Sequence, residues 1–381
     1  MNLQVSLKRL SPMLGLGDLV RFATNTLQAT LAVCGTLLVT FIATGFASSA
    51  YHRERDKLGI QHYDRGKSLE QKGEVDRALE EYRKSLLFAP NNTDYRLSLA
   101  KALLEAGRLN EAQSHLEALL QDDPTSGPIN LLFGELASRQ HNLRRAIEYY
   151  QRGVYEYWPE SELAERRQAR WQLANLLHES GDRNGFIGEL MQLYTNLPAT
   201  AAPEKLKVGS LLLANGAISE ASRIFQEQAR SAPQNVQARM GVAQVHFAMG
   251  EYVSARHEFQ RVLRSDPKNT EATQMLALTN DVIDLNPALP NIIASEQLRR
   301  SRNLLDRVLK DLAPCGTSSP TLAQQLADAA KLTSAPKSSE NDAVSMQAAA
   351  AQLWSERGTA CGVAVPQDRS VDTVLARIGR Q

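Results

Sequence analysis

Hydrophobic and polar residues follow three different patterns along the chain. Residues 22–52 contain no Asp, Glu, Lys or Arg, and residues 27–46 within them are mostly apolar. Residues 59–269 repeat small, apolar and proline positions at a fixed spacing, and the chain beyond residue 313 is rich in Ser, Thr, Ala and Pro. We therefore predict an all-α protein with an N-terminal membrane helix, a central helical domain and a largely disordered tail.

The charge-free segment predicts a transmembrane helix or signal anchor over residues 27–50, preceded by an N-terminal flank over residues 1–26. About 20 residues at a rise of 1.5 Å cross a hydrocarbon layer of roughly 30 Å. A cleavable signal peptide is the alternative, because small residues at 47–50 follow the apolar run. The flanking basic residues nearly balance, with a slight preference for the N-terminus inside, so that the chain beyond the segment is exported. These residues are Lys8, Arg9 and Arg21 before the segment, and Arg53, Arg55 and Lys57 after it.

A repeat of about 34 residues organises the middle of the chain. Ala78, Ala112 and Ala146 are 34 residues apart, as are Ala221 and Ala255. Small, apolar, aromatic and proline positions recur around these alanines in five of six units. The clearest units are Gly66, Leu69, Ala78, Tyr82 and Pro90; Ala100, Leu103, Ala112, Leu116 and Pro124; and Gly209, Leu212, Ala221, Phe225 and Pro233.

This pattern resembles the tetratricopeptide repeat (TPR) family. The resemblance implies a right-handed solenoid of about six helix-turn-helix units over residues 59–269, with the first helix of each unit lining a concave surface. Small residues would let the two helices approach, and glycines such as Gly73 and Gly250 would supply the turn. The fourth unit departs from the pattern at Phe186, and extra residues near 161–166 predict an extended second helix in unit three.

The chain after the repeats is predicted to hold two capping helices over residues 270–312 and a low-complexity tail with short helices over residues 313–381. Of the three cysteines, Cys34 falls in the apolar segment. Cys315 and Cys361 lie in the tail and would form a disulfide in an oxidising compartment, or remain free thiols in a reducing one.

Composition and motifs argue against several classes of function. The chain has 43 Lys+Arg against 42 Asp+Glu, a net charge of +1, which predicts no general affinity for nucleic acid. No phosphate-binding glycine loop, zinc-binding motif, paired cysteine motif or nucleophile elbow occurs in the sequence. We therefore predict a protein that is not an enzyme and that uses no cofactor or metal.

By analogy with the family, the predicted partner-binding residues are those that would face the concave groove. Exposed apolar groups there would give contact area and amides would fix the register of a bound protein or peptide. The competing interpretation is that the large apolar residues only pack between neighbouring helices. The predicted groove residues are Tyr63, Lys67, Leu97, Lys101, Trp171, Asn175, His178, Leu206, Leu213, Met240, Gln244 and Phe247.

The sequence thus favours a membrane-anchored TPR scaffold that mediates protein–protein interactions and complex assembly. We expect it to be a single-pass protein of the inner membrane of a bacterial envelope, with the repeats on the periplasmic side. Two alternatives stay open: an exported soluble TPR binding module, and a noncatalytic subunit of a polysaccharide-export or glycosyltransferase complex. The partner and the oligomeric state do not follow from the sequence.

Overall fold

The computed structural model describes residues 16–156, 158, 163–316, 320–334, 340–361 and 365–379, and the side chains from residue 30 onward. These residues form seventeen α-helices, and no strand occurs among them. The prediction of an all-α, repeat-built chain is confirmed. Most of the predicted N-terminal flank lies outside the described residues. The chain divides into two compact units, Met1–Leu176 and Leu177–Gln381, and α7 contributes residues to both.

Helices of the first unit follow one another in antiparallel pairs joined by short turns. α1 packs on α2, α3 on α4, and α5 on α6. The helices are α1 (Leu16–Gln71), α2 (Val75–Phe88), α3 (Thr93–Glu105), α4 (Leu109–Asp122), α5 (Gly127–Arg139), α6 (Leu143–Tyr155) and α7 (Leu163–Glu179).

The second unit continues the pairing with α9 on α10 and α11 on α12, and ends in a cluster of five further helices. The helices are α8 (Arg183–Asn196), α9 (Ala202–Ala214), α10 (Ile218–Ser231), α11 (Val236–Met249), α12 (Tyr252–Ser265), α13 (Thr270–Leu285), α14 (Ala294–Gly316), α15 (Pro320–Ser334), α16 (Glu340–Cys361) and α17 (Arg369–Ile378).

Small residues stand where the two helices of a pair approach, as the repeat pattern predicts. A Cβ on Gly66 would lie 2.7 Å from the ring of Tyr82, and a Cβ on Gly134 would lie 2.7 Å from the ring of Tyr150. Ala78 of α2 is fully buried in the core of the first pairs. The repeat therefore encodes close helix packing, with an aromatic ring of the second helix lying on a small residue of the first.

The turn inside a pair needs a residue with left-handed backbone geometry. Gly73 and Gly250 supply it with φ values of 76° and 82°. The third pair has no glycine at this place, and His141 adopts the same geometry with a φ of 58°. The left-handed turn geometry is thus present in the third pair although histidine stands there in place of glycine.

The predicted extension of the second helix in unit three is wrong. That helix, α6, has 13 residues and ends at Tyr155, whereas α7 has 17 residues. Part of the additional sequence therefore lengthens the first helix of unit four, and residues 159–162 lie outside the described chain. Trp158 is buried after α6 and its indole nitrogen donates a 2.6 Å hydrogen bond to the carbonyl of Gly153.

The N-terminal helix α1 is continuous from the apolar segment into the first repeat. Its apolar side chains in the region 30–47 are exposed on all sides, and Phe41 exposes 77% of its surface. The hydroxyls of Thr36, Thr40 and Thr44 donate to carbonyls one turn earlier at 2.8–2.9 Å. Among the described residues, this is one helix long and apolar enough to cross a membrane, a property that a signal sequence shares.

The chain after the repeats is more helical than its composition predicts. α15, α16 and α17 pack with α14 around buried apolar residues such as Met346, Leu353 and Val371. A disulfide joins Cys315 at the end of α14 to Cys361 at the end of α16. The tail thus forms a hydrophobic core, although Ala, Ser and Thr separate its larger apolar residues along the sequence.

Candidate functional site

A concave groove of about 780 Å³ opens in the first unit on the side of the first helices of the pairs. Leu97 and Lys101 of α3, both predicted groove residues, line it together with α5 and the beginning of α7. The other lining residues include Leu131, Leu132, Glu135, Arg139, Tyr150, Gln168 and Gln172.

Tyr63 and Lys67, which were predicted for this groove from α1, lie outside it. The ring of Tyr63 stacks on Tyr95 at 4.6 Å, and its hydroxyl is 3.1 Å from the hydroxyl of Ser98. The ammonium group of Lys67 lies 5.4 Å from the centre of the Tyr63 ring. Tyr63 thus serves helix packing between the first two pairs, and Lys67 is an exposed residue beside it.

A second groove of about 960 Å³ lies between α9, α11 and α13 of the second unit. Four of the predicted groove residues line it. Leu206 and Met240 form its floor and expose only 5% and 7% of their surface. Leu213 is half-buried, and the amide of Gln244 donates a 2.8 Å hydrogen bond to Glu271 across the groove.

The other predicted residues do not line either groove. His178 is exposed with its ring 4.8 Å from Phe186, and Phe247 packs edge-on against Tyr252 at 5.2 Å. Trp171 is half-buried and Asn175 is exposed on α7.

Sequence reasoning missed two groups of groove residues. In the first unit it passed over α5, although Leu131, Leu132 and Glu135 hold the first-helix positions of unit three. The 34-residue spacing alone could have identified them.

In the second unit the missed residues include Lys207, Gln237 and Gln274, which repeat spacing could also have found. Arg369 is different, because it comes from α17, far along the chain from the helices it joins. No periodic signal points to it.

The two grooves differ in charge. Four charged residues line the first, and two of them, Glu135 and Arg139, form a 2.8 Å ion pair. The second is lined by Lys207 and Arg369 against Glu271 alone, so it carries a small positive excess.

Tyr150 borders the first groove from beneath. Burial raises the pKa of its phenol to about 12, so the hydroxyl stays protonated even in moderately alkaline solution. Within the described residues, no group of three His, Cys, Asp or Glu side chains lies close enough to hold a metal ion.

These features define a class of protein: paired helices stacked so that their first members form concave, partly apolar grooves. The sequence profile of the family described as "Tetratricopeptide repeat" matches residues 69–129, 103–164 and 212–278. The chain therefore carries tetratricopeptide repeats, on a fold that typically serves protein interaction without catalysis.

Known proteins share parts of this arrangement. BBSome complex member BBS4 of Bos taurus is 28% identical over 123 residues, which are 31% of this chain and 24% of that protein. The match thus spans about a quarter of the length of this relative.

Solved structures with a similar course of helices include Pseudomonas aeruginosa pilF, with 16% identity, 59% of this chain and 99% of that chain covered, and a TM-score of 0.39. YrrB, described as a TPR protein with an unusual peptide-binding site, has 12% identity, 51% and 96% coverage, and a TM-score of 0.39. The TPR2AB domain of yeast Sti1 in complex with pHSP90 has 17% identity, 59% and 99% coverage, and a TM-score of 0.26.

Proposed function

We propose that the chain is a membrane-anchored TPR scaffold that binds segments of other proteins in its two grooves and holds them at a membrane surface. The observation that carries this proposal is the composition of the second groove. Its floor is apolar, with Leu206 and Met240, and its walls carry amides such as Gln237 and Gln274. Apolar floors give contact area, and amides satisfy the backbone polar groups of a bound segment.

Membrane anchoring is supported by α1. A soluble protein rarely exposes a long apolar surface, and the region around Phe41 and Phe46 is exposed on every side. In hydrocarbon the threonine hydroxyls need partners, and each is already bonded to the helix backbone.

An extracytoplasmic location of the repeats is supported by the disulfide between Cys315 and Cys361. Disulfides persist in oxidising compartments and are rare in the cytosol. We place the repeats on the periplasmic side of a bacterial inner membrane, in agreement with an N-terminus inside.

The first test is protease accessibility in intact cells with the outer barrier opened, combined with the mass of the mature chain. We expect digestion of the repeats from outside and a full-length, membrane-bound chain. Protection from protease would overturn the proposed location. A mature chain shortened at residue 50 and released from the membrane would instead support an exported soluble module.

Groove binding is tested by a photo-crosslinking amino acid at Ser210, which is exposed at the second groove. A matched control places it at Val253, which is exposed on α12, a second helix outside the groove. We expect protein adducts at Ser210 that disappear in the Met240→Glu variant, and none at Val253. Equal adducts at both positions would contradict a groove-specific interaction.

A further inference from the structure

The last helix, α17, covers part of the concave side of the second unit. Repeat spacing makes Leu278 of α13 the counterpart of Gln244 of α11, which lines the open groove. Leu278 and Phe247 nevertheless pack against the apolar cluster that contains Val371 and Val374 of α17. α17 packs directly on α13, so the groove position that Leu278 holds is closed by the cluster that includes α17, whereas Phe247 joins this cluster through Tyr252.

The contacts of α17 follow the concave surface from the open groove to a repeat turn. At its start, Arg369 lines the groove beside Met275 of α13. At its end, the guanidinium carbon of Arg377 lies 2.9 Å from where a Cβ on Gly250 would stand, at the turn between α11 and α12. The start of the helix therefore borders the open groove, and its end reaches the turn between α11 and α12.

The sequence of α17 indicates which kind of segment this surface binds. Its apolar residues Val371, Val374, Leu375 and Ile378 have the spacing i, i+3, i+4, i+7, which places them on one face of a helix. Asp368 caps its first turn by accepting hydrogen bonds from the backbone NH groups of residues 370 and 371. The surface fits a short amphipathic helix.

The attachment of α17 suits an exchangeable occupant. It has ten residues, a length at which an isolated helix is marginal in water. It buries few residues completely, namely Ser370, Val371 and Val374. Residues 365–368, which precede it, have no regular secondary structure. The disulfide at Cys361 keeps the preceding helix in place when α17 leaves.

Ion pairs attach the start of α17 to α14 and α16, and one of these arginines also pairs with α13. Arg307 of α14 lies 3.2 Å from Asp368 and 3.3 Å from Asp281. Arg357 of α16 lies 3.1 Å from Asp372. These pairs are partly exposed, so water replaces them at little cost.

We propose that the surface formed by α11 and α13 beneath α17 is a helix-binding site, and that its partner is an amphipathic helix with apolar residues spaced as in α17. α17 is the resident occupant that this partner replaces. The inference rests on the proposed protein-binding function and adds the class of ligand and a competing internal segment.

The test uses the full chain in detergent micelles and a fluorescent peptide of residues 365–381. Val374→Asp in the chain detaches the resident helix, so the peptide binds this variant at least 10-fold more tightly than the wild type. A peptide carrying the same substitution is the matched control and does not bind. Leu278→Asp on α13, added to the detached chain, abolishes binding.

A Val374→Asp chain that keeps wild-type helicity and melting but fails to bind the peptide overturns the proposal, as does equal binding to both chains. If the variant loses helicity, its failure to bind is uninformative, and hydrogen exchange of the wild type then tests whether α17 detaches. Amides of α17 then exchange at least 10-fold faster than those of α13 and α14, whereas equal protection contradicts an exchangeable helix. Crosslinking at Ser210 tests the open groove separately, so the two proposals fail independently.

Discussion

At the residue scale, the packing of one helix pair on the next depends on the absence of a side chain at a single position. Gly241 of α11 faces the ring of Phe225, and a Cβ there would overlap that ring. We expect Gly241→Ala to destabilise the second unit by about 1–3 kcal/mol, because a well-packed core does not yield to an added methyl group. Thermal unfolding followed by circular dichroism measures the change.

Gly188 provides the matched control. It also lies within a helix, α8, but a Cβ there meets nothing within 4 Å. Gly188→Ala should be neutral or stabilise the protein by up to about 1 kcal/mol through helix propensity. Similar losses for both variants would show that close packing at Phe225 is not the cause.

Tyr150 predicts a pH dependence at the same scale. Burial raises the pKa of its phenol to about 12, above the ordinary value of 10. Its neutral form stabilises the fold fully below pH 10, and this contribution is lost as the pH rises towards 12. We expect Tyr150→Phe, which keeps the ring on Gly134, to lose less stability than the wild type between pH 9 and pH 12.

Urea unfolding at each pH measures this difference, which should approach about 2 kcal/mol at the highest pH. The stability of the variant still falls with rising pH to some extent, because other buried tyrosines titrate in the same range. One is Tyr194, whose pKa is raised to about 12 by burial and by Glu227. If the free energy of unfolding of Tyr150→Phe fell with pH as steeply as that of the wild type, Tyr150 would not be the cause of the pH dependence.

At the element scale, the disulfide joins α14 to α16 across 46 residues of sequence. Closing a loop of this length in the unfolded chain stabilises the folded state by about 2–4 kcal/mol. We expect the double variant Cys315→Ser, Cys361→Ser to unfold its C-terminal helices at lower temperature. Hydrogen exchange of α14 and α16 measures the loss, and Cys34→Ser, which removes the free thiol, should leave it unchanged.

The elements differ in how far the sequence predicts them. The repeat helices follow from small residues and prolines at a 34-residue spacing, and a further signal was available in Asn235 and Asn269. Their side chains accept hydrogen bonds from the backbone NH groups of residues 238 and 272, at the starts of α11 and α13. Short helices were predicted for the tail, but not that they pack into a common core, because Ala, Ser and Thr separate the apolar residues along the sequence.

The site was predictable only in part for a related reason. Position within a repeat identifies residues such as Lys101 and Gln244, because neighbouring units present equivalent faces. Position within a repeat does not show whether a large side chain packs against a neighbouring helix instead of lining the groove, as Tyr63 does against Tyr95. It also cannot reveal Arg369, whose place depends on how α17 folds back.

At the scale of the whole molecule, α1 links the proposed anchor to the first repeat without a break. The guanidinium of Arg55 donates a 2.8 Å hydrogen bond to the carbonyl of Phe88 at the end of α2. Gly59, four residues later on α1, is buried against the same region. The first repeat thus begins within about three helical turns of the apolar segment, so we infer that this repeat is held close to the membrane surface.

If α1 is the membrane anchor, charged residues placed in its apolar segment should release the protein from the membrane. An arginine near the centre of a membrane helix costs about 2.5–3.5 kcal/mol on insertion scales. The double variant Leu38→Arg, Ile42→Arg should therefore move from the carbonate-resistant membrane fraction to the soluble fraction. Leu87→Arg with Val253→Arg is the control, since both residues are exposed apolar residues of repeat helices. Retention of the first variant in the membrane would show that α1 is not the anchor, and release of the control would show that the repeats themselves hold the chain there.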